Sequence, residues 1–465
     1  MLCGLMRTRR DGSIDRRGFL QGAVALATAL ASSKPAGAQS ASAPTMKSVA
    51  RLAGTAASYA YAVKAGPWLF LSGHEAFDFE KGLAPEVEGP AGSRLSGRPP
   101  LRREADYILR RMRALLKEFG SDLPNTVRLD QYYTMGAAVS AYHLARFAEF
   151  GAYIPPSTSI IMERCFSARA NMHASMIAVV PGPGWTIERV TLPGEPISAS
   201  GYTLAVVVDD FVFVAGNQAL QQNGRLAPGV DVPAISRWQG ETSFRRQVHY
   251  VITERLAPSL KAAGSSLEQS LKAQAYVRGV ESFPDFLDVW SQHFRDIPCA
   301  ITVVPAKDYS SAESSLEINL IALRNGASRR KQVIDTVVPP TATYGPCIRA
   351  GELVFPSGVM AVGRDGTVPA VENAAALDGL SLRGQAQGTV VLSYAEAVCT
   401  AVGVSMRNVV RAQYFLTDMR DFAGVSAAWS DRYPRQPHPF AAVQVPGPLP
   451  PSGACVVSDF WIYAG

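Results

Sequence analysis

The sequence predicts an α+β protein in which one domain pattern occurs three times. Three apolar runs that read as strands end in a glycine, and Gly73, Gly216 and Gly358 recur at a spacing of about 140 residues. A second set of glycines, each ending a helical pattern, recurs with nearly the same spacing. This second set consists of Gly120, Gly264 and Gly403. Two independent landmarks with one period indicate a repeat, and each repeat has the length of an ordinary domain.

The order of elements within a repeat is clearest in the second copy. A strand at residues 204–208 and the strand ending at Gly216 precede a helix at residues 244–263. Apolar residues recur in that helix at intervals of three and four, and the glycine after it suits a left-handed helix end. A strand, a helix at residues 283–294 and two closing strands, at 300–304 and 315–322, follow. The resulting β-β-α-β-α-β-β order predicts a sheet with two helices on one face.

This pattern divides the chain into four parts. We expect an N-terminal segment at residues 1–38 and three units at residues 47–185, 195–325 and 338–465. The junctions between units are short, which favours packed units over three domains on flexible linkers.

The N-terminal segment reads as an export signal. Arg16 and Arg17 precede an uncharged stretch rich in Ala and Leu, and Ala36-Gly37-Ala38 follows as a small-residue cleavage site. This order resembles a twin-arginine signal, and the apolar stretch is short for a membrane-spanning helix. We expect a mature chain that begins near Gln39, in the periplasm or secreted, without stable membrane association. The alternative is a retained N-terminal anchor.

Charge and residue usage exclude several classes of function. The net charge is +6, but residues 1–38 hold six basic and two acidic residues, so only two of those charges belong to the rest of the chain. A nucleic-acid partner is therefore not expected. Five cysteines remain after residue 38, with no CxxC spacing, and the histidines form no HExxH motif. We expect no disulfide framework, no metal site and no cofactor.

Several segments carry a family resemblance. They are the run Leu-Phe-Leu-Ser-Gly ending at Gly73, the stretch Glu-Ile-Asn-Leu-Ile-Ala beginning at Glu317, and Tyr-Phe-Leu-Thr-Asp-Met-Arg-Asp-Phe ending at Phe422. The chain resembles the RidA/YjgF reactive-intermediate deaminase family once per unit. That resemblance implies a chorismate-mutase-like fold, a trimer with helices outside, and a cleft at each subunit interface. Three units in one chain then predict a single-chain pseudo-trimer, because fusion makes the assembly of the interfaces intramolecular.

The resemblance also implies a reaction, the hydrolysis of an enamine or imine to a ketone and ammonia. In the family an arginine after the second helix binds the substrate carboxylate. The corresponding places here begin at Ser157, Pro298 and Phe440, and none holds an arginine. Arg295 and Arg435 lie a few residues upstream and are possible substitutes.

The remaining family positions are retained in part. A carboxylate on the last strand orients water in the family, and we place that position at His173, Glu317 and Asp459, the candidate catalytic residues. Polar pairs follow two of the landmark glycines, at residues 74–75 and 217–218. If the units pair cyclically, Glu317 faces one of two sets of residues across an interface. One set is Tyr59, Ser72 and His74, and the other is Tyr344 and Ser357. The candidate substrate-binding residues are Tyr59, Ser72, His74, Tyr202, Asn217, Tyr344 and Ser357.

Two hypotheses follow. The first is an exported small-molecule hydrolase of the RidA type, acting on an enamine, imine or related activated bond in a cleft between units. The second is a catalytically degenerate ligand-binding or scaffold protein, which the missing arginines favour. RNA cleavage ranks last because the body of the chain carries little net charge.

Overall fold

Three sheets, each formed by one continuous stretch of chain, make up the core of this computed structural model. It describes residues 43–51, 57–78, 81–89, 97–192, 200–221, 223–369 and 377–465. The predicted export signal at residues 1–38, with Arg16 and Arg17, lies outside these residues. Within the described part of the chain, no helix combines the length and the apolar character that crossing a membrane requires.

The first sheet has the strand order β1-β2-β3-β8-β6-β7. Its strands are β1 Thr45–Arg51, β2 Ser58–Ala65, β3 Trp68–His74, β6 Thr126–Tyr133, β7 Ser157–Ile161 and β8 Met172–Val179, and a small hairpin consists of β4 Phe77–Asp78 and β5 Gly82–Leu83. The helices of this stretch are α1 Pro85–Glu88, α2 Pro100–Glu118 and α3 Gly136–Phe150.

The second sheet has the order β13-β12-β14-β11-β10-β9. Its strands are β9 Glu188–Val190, β10 Ala205–Val208, β11 Phe211–Asn217, β12 Ser270–Arg278, β13 Ala300–Ala306 and β14 Leu316–Leu323. Its helices are α4 Ser243–Tyr250, a π-helical turn Val251–Leu256, α5 Ala257–Ala262 and α6 Phe283–Phe294.

The third sheet has the order β15-β16-β17-β21-β19-β20, with β18 paired to β21. Its strands are β15 Lys331–Ile334, β16 Cys347–Ala350, β17 Leu353–Phe355, β18 Val359–Met360, β19 Val409–Leu416, β20 Phe440–Gln444 and β21 Val456–Tyr463. Its helices are α7 Leu377–Ala401 and α8 Phe422–Arg432.

The predicted β-β-α-β-α-β-β order lacks the first edge strand of each sheet and, in the third sheet, also the two-residue strand β18. The edge strands β1, β9 and β15 precede it and pair on one side only, with β2, β10 and β16. Two of them lie in stretches that the sequence presents as junctions. They escape detection because β9 and β15 have three and four residues, mostly polar and partly exposed, and show no clear alternation.

The predicted helices are largely confirmed. Helix α6 has the predicted bounds, and Gly120, Gly264 and Gly403 adopt left-handed φ angles of 80°, 70° and 77° directly after their helices. The helix predicted at residues 244–263 differs in one respect, because a π-helical turn divides it into α4 and α5.

Each sheet has a helical face and an inner face. The single parallel pairs, β6–β7, β12–β13 and β19–β20, are each connected by one helix, respectively α3, α6 and α8. The inner faces of all three sheets share apolar clusters, in which Trp68, Phe211 and Trp461 pack together with residues of the other strands. Residues at the edges of different sheets also pair directly, Tyr59 with His438 and Ile161 with Asp308. These edges form the boundaries where the candidate site residues lie.

A buried polar network joins the inner faces. The third residue of β6, β12 and β19 is basic and reaches a neighbouring sheet in each case: Arg128 donates to Gln274, and Arg411 donates to Asp130. Lys272 lies 3.1 Å from Asp459 Oδ2. The Tyr132 and Tyr276 hydroxyls are 2.7 Å apart. Because unpaired buried charges are costly, these contacts fix which strands meet at each boundary.

Candidate active site

Strand pairing shows which last-strand residues are equivalent. His173 pairs with Tyr132 and Glu317 pairs with Tyr276. In the third sheet the same register places Val457 opposite Phe415, the residue that matches those tyrosines. The equivalent of Glu317 is therefore Val457, and the prediction of Asp459 is wrong by two residues.

Asp459 belongs to the buried polar network. It pairs with Gln413, and its Oδ2 accepts hydrogen bonds from Gln274 Nε2 at 2.7 Å and from Thr302 Oγ1 at 2.8 Å. Together with the ammonium of Lys272, these donors hold the carboxylate in the protein interior. Asp459 thus stabilises the boundary between the second and third sheets.

Glu317 is held at the boundary between the first and second sheets. Its side chain is buried, with 4% of the residue exposed. Oε1 accepts the Ser159 backbone N–H at 3.2 Å from strand β7, and Oε2 accepts Gln218 Nε2 at 2.6 Å. Burial raises the pKa of Glu317 to about 7, although these hydrogen bonds oppose the shift. A carboxyl with this pKa can both accept and donate a proton near neutral pH.

A glycine provides the space for this carboxyl group. A Cβ atom on Gly216 would collide with the Glu317 side chain. In the first sheet, the equivalent glycine is Gly73, and a Cβ atom there would collide with the His173 ring. In the third sheet, Gly358 approaches Thr302 of strand β13 instead.

A cavity of about 1230 Å³ opens at the Glu317 carboxyl, between the first and second sheets. The second stretch of chain contributes Tyr202, Gln218 and Glu317 to its wall, and the first contributes His143 and Ser159. Further lining residues include Phe147, Arg189, Tyr250, Arg255 and Tyr309. Of the candidate residues from the sequence, Glu317 and Tyr202 therefore come together here, whereas Asn217 is buried with its amide donating to Ala215 O at 2.8 Å.

Two basic side chains of helix α3 lie at the first-sheet side of this cavity. His143 Nε2 is 3.5 Å from Ser159 Oγ, and burial together with Arg146 lowers the pKa of His143 to about 3. Arg146 is fully buried and bonds to neutral oxygens, Gln131 Oε1 at 3.1 Å, Ser157 Oγ at 3.0 Å and Ser200 O at 2.7 Å. His143 is therefore neutral at neutral pH, whereas Arg146 places a positive charge behind the cavity wall.

His173 lies at a different boundary, between the first and third sheets. Its Nδ1 is 2.9 Å from Glu75 Oε1, and Glu75 also accepts the backbone N–H groups of Phe166 and Ser167. Above Gly73, the backbone of Ala441 in strand β20 closes the space. These contacts make the His173–Glu75 pair part of a packed interface.

Three predicted substrate-binding residues surround that interface and are buried. The Tyr59 hydroxyl donates to Gly73 O, and its ring packs on Phe440 of the third sheet at 4.6 Å. His74 contacts Tyr61 O at 3.2 Å, and burial lowers the pKa of His74 well below its usual range. Ser72 is buried beside them.

The boundary between the second and third sheets holds two further predicted substrate-binding residues, Ser357 and Tyr344. Ser357 Oγ accepts the Ile301 N–H at 2.9 Å and donates to Pro346 O at 2.7 Å. The Tyr344 hydroxyl lies 3.6 Å from Met360 Sδ. With Val457 in place of a proton-transfer group, this boundary lacks the chemistry of the Glu317 site. Neither predicted partner group faces Glu317, because its neighbour across the boundary is Ser159.

The strands that could hold the family arginine contain none. The strand register aligns Ser157 with Ile301 and Phe440. The position predicted for the family arginine segment of the second unit, beginning at Pro298, is therefore wrong by three residues. Strands β7, β13 and β20 contain no arginine. The upstream candidates Arg295 and Arg435 are exposed and do not line the cavity.

Sequence patterns do not identify Ser159, His143 and Arg255 as cavity residues. Ser159 contributes its backbone N–H, and residue type gives no signal for a backbone donor. The only signal for Gln218 was its position next to Asn217, directly after the strand. Within the described ranges, His, Cys, Asp and Glu side chains form no group of three or more that could hold a metal ion.

Comparison with known proteins identifies the family of the second and third stretches of the chain. The family model described as Endoribonuclease L-PSP matches residues 193–324 and 336–452, more than half of the chain in two separate stretches. The chain belongs to the endoribonuclease L-PSP family. The resemblance to RidA/YjgF proteins indicated the same family. Because the family model matches two separate stretches, the domain is repeated in this chain.

Individual relatives of this family member match about one repeat each. A RutC family protein of Aquifex aeolicus is 23% identical over 136 residues, which cover 28% of this chain and 97% of that protein. The mitochondrial protein mmf2 of Schizosaccharomyces pombe is 28% identical over 139 residues, or 29% of this chain and 98% of the relative. Among solved structures, yeast Mmf1 has 21% identity and a TM-score of 0.25, covering 30% of this chain and 99% of its own. A chorismatase covers 73% of this chain and 93% of its own at 12% identity, with a TM-score of 0.43.

Proposed function

We propose that this protein is a single-chain pseudo-trimer that hydrolyses an imine or enamine in the cavity at Glu317. The observation that carries the proposal is the buried Glu317 carboxyl, whose pKa is raised to about 7 and which is held at the wall of a large cavity by Ser159 and Gln218. The other two boundaries serve as packed interfaces, because His173 is engaged by Glu75 and Val457 has no proton to transfer.

The reaction needs one group that moves a proton twice. Ionised Glu317 accepts a proton from water while the water oxygen bonds to the carbon of the protonated imine, and the C=N π electrons move to nitrogen. In the resulting aminoalcohol, neutral Glu317 returns its proton to the amino nitrogen. The C–N bond then breaks while the ionised carboxylate takes the hydroxyl proton and the carbonyl forms, and ammonia leaves with that proton as ammonium. A pKa near 7 suits both steps, because neither protonation state is rare at neutral pH.

Gln218 can hydrogen-bond to both the ionised and the neutral form of the Glu317 carboxyl group. Its amide nitrogen donates to Glu317 Oε2, while its own Oε1 is buried without a hydrogen-bond partner among the described residues. A rotation of the amide group would let Oε1 accept the proton of a neutral Glu317. Gln218 is therefore a positioning residue for the reaction.

The test is to generate an imine with an amino-acid oxidase in the presence of the protein and to follow release of the 2-oxo acid and ammonia. Glu317→Gln should lower the accelerated rate by about 10²- to 10⁴-fold, as expected for a general acid–base. The exposed Glu254 provides the control variant Glu254→Gln, and His173→Gln should also retain activity. An unaccelerated reaction with wild type, or an unchanged rate with Glu317→Gln, would refute the proposal. The active species should have the mass of one chain.

Loss of the arginine from β7, β13 and β20 favours a second candidate, a ligand-binding protein without catalysis. The same assay separates the two, because this candidate requires that wild type does not accelerate the reaction. Since the family description names endoribonucleases, single-stranded RNA is a useful additional substrate. We expect it to remain intact because the chain beyond residue 38 carries little net charge.

A further inference from the structure

We infer that the Glu317 cavity takes an organic anion with a ring-sized body, and that Arg255 binds the acid group of this ligand. The inference rests on the proposed function in that it names the substrate class of the same site. Three features of the cavity support it: its charge, the local helix geometry that presents Arg255, and its size.

The charge of the cavity wall favours an anion. Among the described residues, the lining includes two arginines, Arg189 and Arg255, and a single carboxyl group, that of Glu317. That carboxyl is partly neutral near pH 7, because burial raises its pKa to about 7. Behind the wall, buried Arg146 adds a positive charge and hydrogen-bonds only to neutral oxygens among its described contacts. The resulting positive potential attracts negatively charged ligands into the cavity.

A local departure from α-helical geometry presents Arg255 to this space. Residues five apart on a regular α-helix point about 140° away from each other. Tyr250 and Arg255 are five apart, but the π-helical turn Val251–Leu256 separates them, and i→i+5 bonding brings such residues onto one side. Both line the cavity. The long helices of the other two repeats, α2 and α7, are α-helical throughout their bounds.

Arg255 is better suited to the acid group than the other two arginines. Arg146 is fully buried and lies behind Ser157, so it acts on the cavity only at a distance. The Arg189 guanidinium stacks over the Tyr153 ring, 4.2 Å from its centre, and its residue is exposed at the edge strand β9. Arg255 is half-buried, and partial removal from water strengthens a guanidinium–carboxylate contact.

The size and lining of the cavity indicate the rest of the ligand. Its volume of about 1230 Å³ exceeds the roughly 300–1,000 Å³ that is usual for small-molecule sites. Tyr202, Tyr250 and Tyr309 line it together with Phe147. Aromatic walls bind flat unsaturated bodies by stacking and edge contacts. A substrate of two or three carbons would leave most of this surface uncovered.

Calorimetric titration of the full chain tests the inference with 3-phenylpropanoate, its neutral analogue 3-phenylpropanamide, and the small anion propanoate. We expect 3-phenylpropanoate to bind about 10- to 100-fold more tightly than either comparison compound. Arg255→Gln should remove the advantage of the acid over the amide, and Arg255→Lys should keep part of it. Arg295→Gln removes an exposed arginine outside the cavity and should change nothing.

Each result bears on a separate part of the inference. Equal binding of acid and amide, or an unchanged ratio in Arg255→Gln, overturns the role of Arg255. Equal binding of propanoate and 3-phenylpropanoate overturns the ring-sized body, and the absence of millimolar binding overturns both. Glu317→Gln separates this inference from the proposed function, because it should lower turnover by about 10²- to 10⁴-fold and retain 3-phenylpropanoate binding. Wild type that binds through Arg255 without hydrolysing imines would refute only the proposed function.

Discussion

The raised pKa of Glu317 predicts a specific dependence of stability on pH. The folded-state pKa is about 7, whereas the ordinary value is 4.5, so the folded protein binds more protons than the unfolded chain between these values. Its contribution to stability is therefore complete below about pH 4.5 and is lost as pH rises through about 7. Between pH 5 and pH 8 this one group should reduce the free energy of unfolding by about 2–3 kcal/mol.

Glu317→Gln removes the titration while keeping the shape of the side chain. Its amide oxygen can still accept the Ser159 N–H, and a rotated Gln218 amide can accept from the new nitrogen. The assay is urea unfolding of wild type and variant at pH 5 and pH 8. The variant should lose about 2–3 kcal/mol less than wild type across this interval. Burial also raises the pKa of Glu104 to about 7. Wild type therefore carries two carboxyl groups of this kind, and Glu317→Gln should remove the contribution of only one of them. The same loss in wild type and in Glu317→Gln would refute the assigned pKa.

Two further predictions concern the glycine beneath the carboxyl group and the buried ion pair. Gly216→Ala should reduce imine hydrolysis by about 10²-fold or more, because its Cβ would displace Glu317. Gly182→Ala, where a Cβ would meet nothing within 4 Å, is the control, and equal rates of the two variants in the oxidase-coupled assay would contradict the geometry. Lys272→Met should lower the free energy of unfolding by about 3–5 kcal/mol, measured by urea unfolding, because it leaves Asp459 buried without its cation. Adding Asp459→Asn should recover part of that loss, and no recovery would argue against a direct ion pair.

Much of the fold could be predicted from local patterns. The spacing of Gly120, Gly264 and Gly403 marked helix ends that the structure confirms, and the periodicity of residues 283–294 gave helix α6 with its observed bounds. These features depend on residues close in sequence. The edge strands β9 and β15 were missed because a three- or four-residue strand is stabilised by its partner strand, which its own sequence does not contain.

The candidate site was predicted less completely. Glu317 was identified by type and position, but Asp459 was aligned with it although the strand register places Val457 there. A shift of two residues keeps a side chain on the same face of a strand, so alternation could not reveal this error. Arg255 and Tyr250 were both missed, because only the π-helical turn between them brings the two side chains onto one cavity wall.

The sequence by itself determined the repeat and the α+β class. These features could be predicted because backbone conformation and alternating burial determine which residue types occur at neighbouring positions of the sequence. Only the tertiary structure decided that the three boundaries differ: one holds a carboxyl of high pKa beside a large cavity, one a buried histidine–glutamate pair, and one a valine. Those differences arise from contacts between residues more than a hundred positions apart, such as Ser159 with Glu317 and Lys272 with Asp459. The desolvation and pairing that set their chemistry exist only when the sheets have come together.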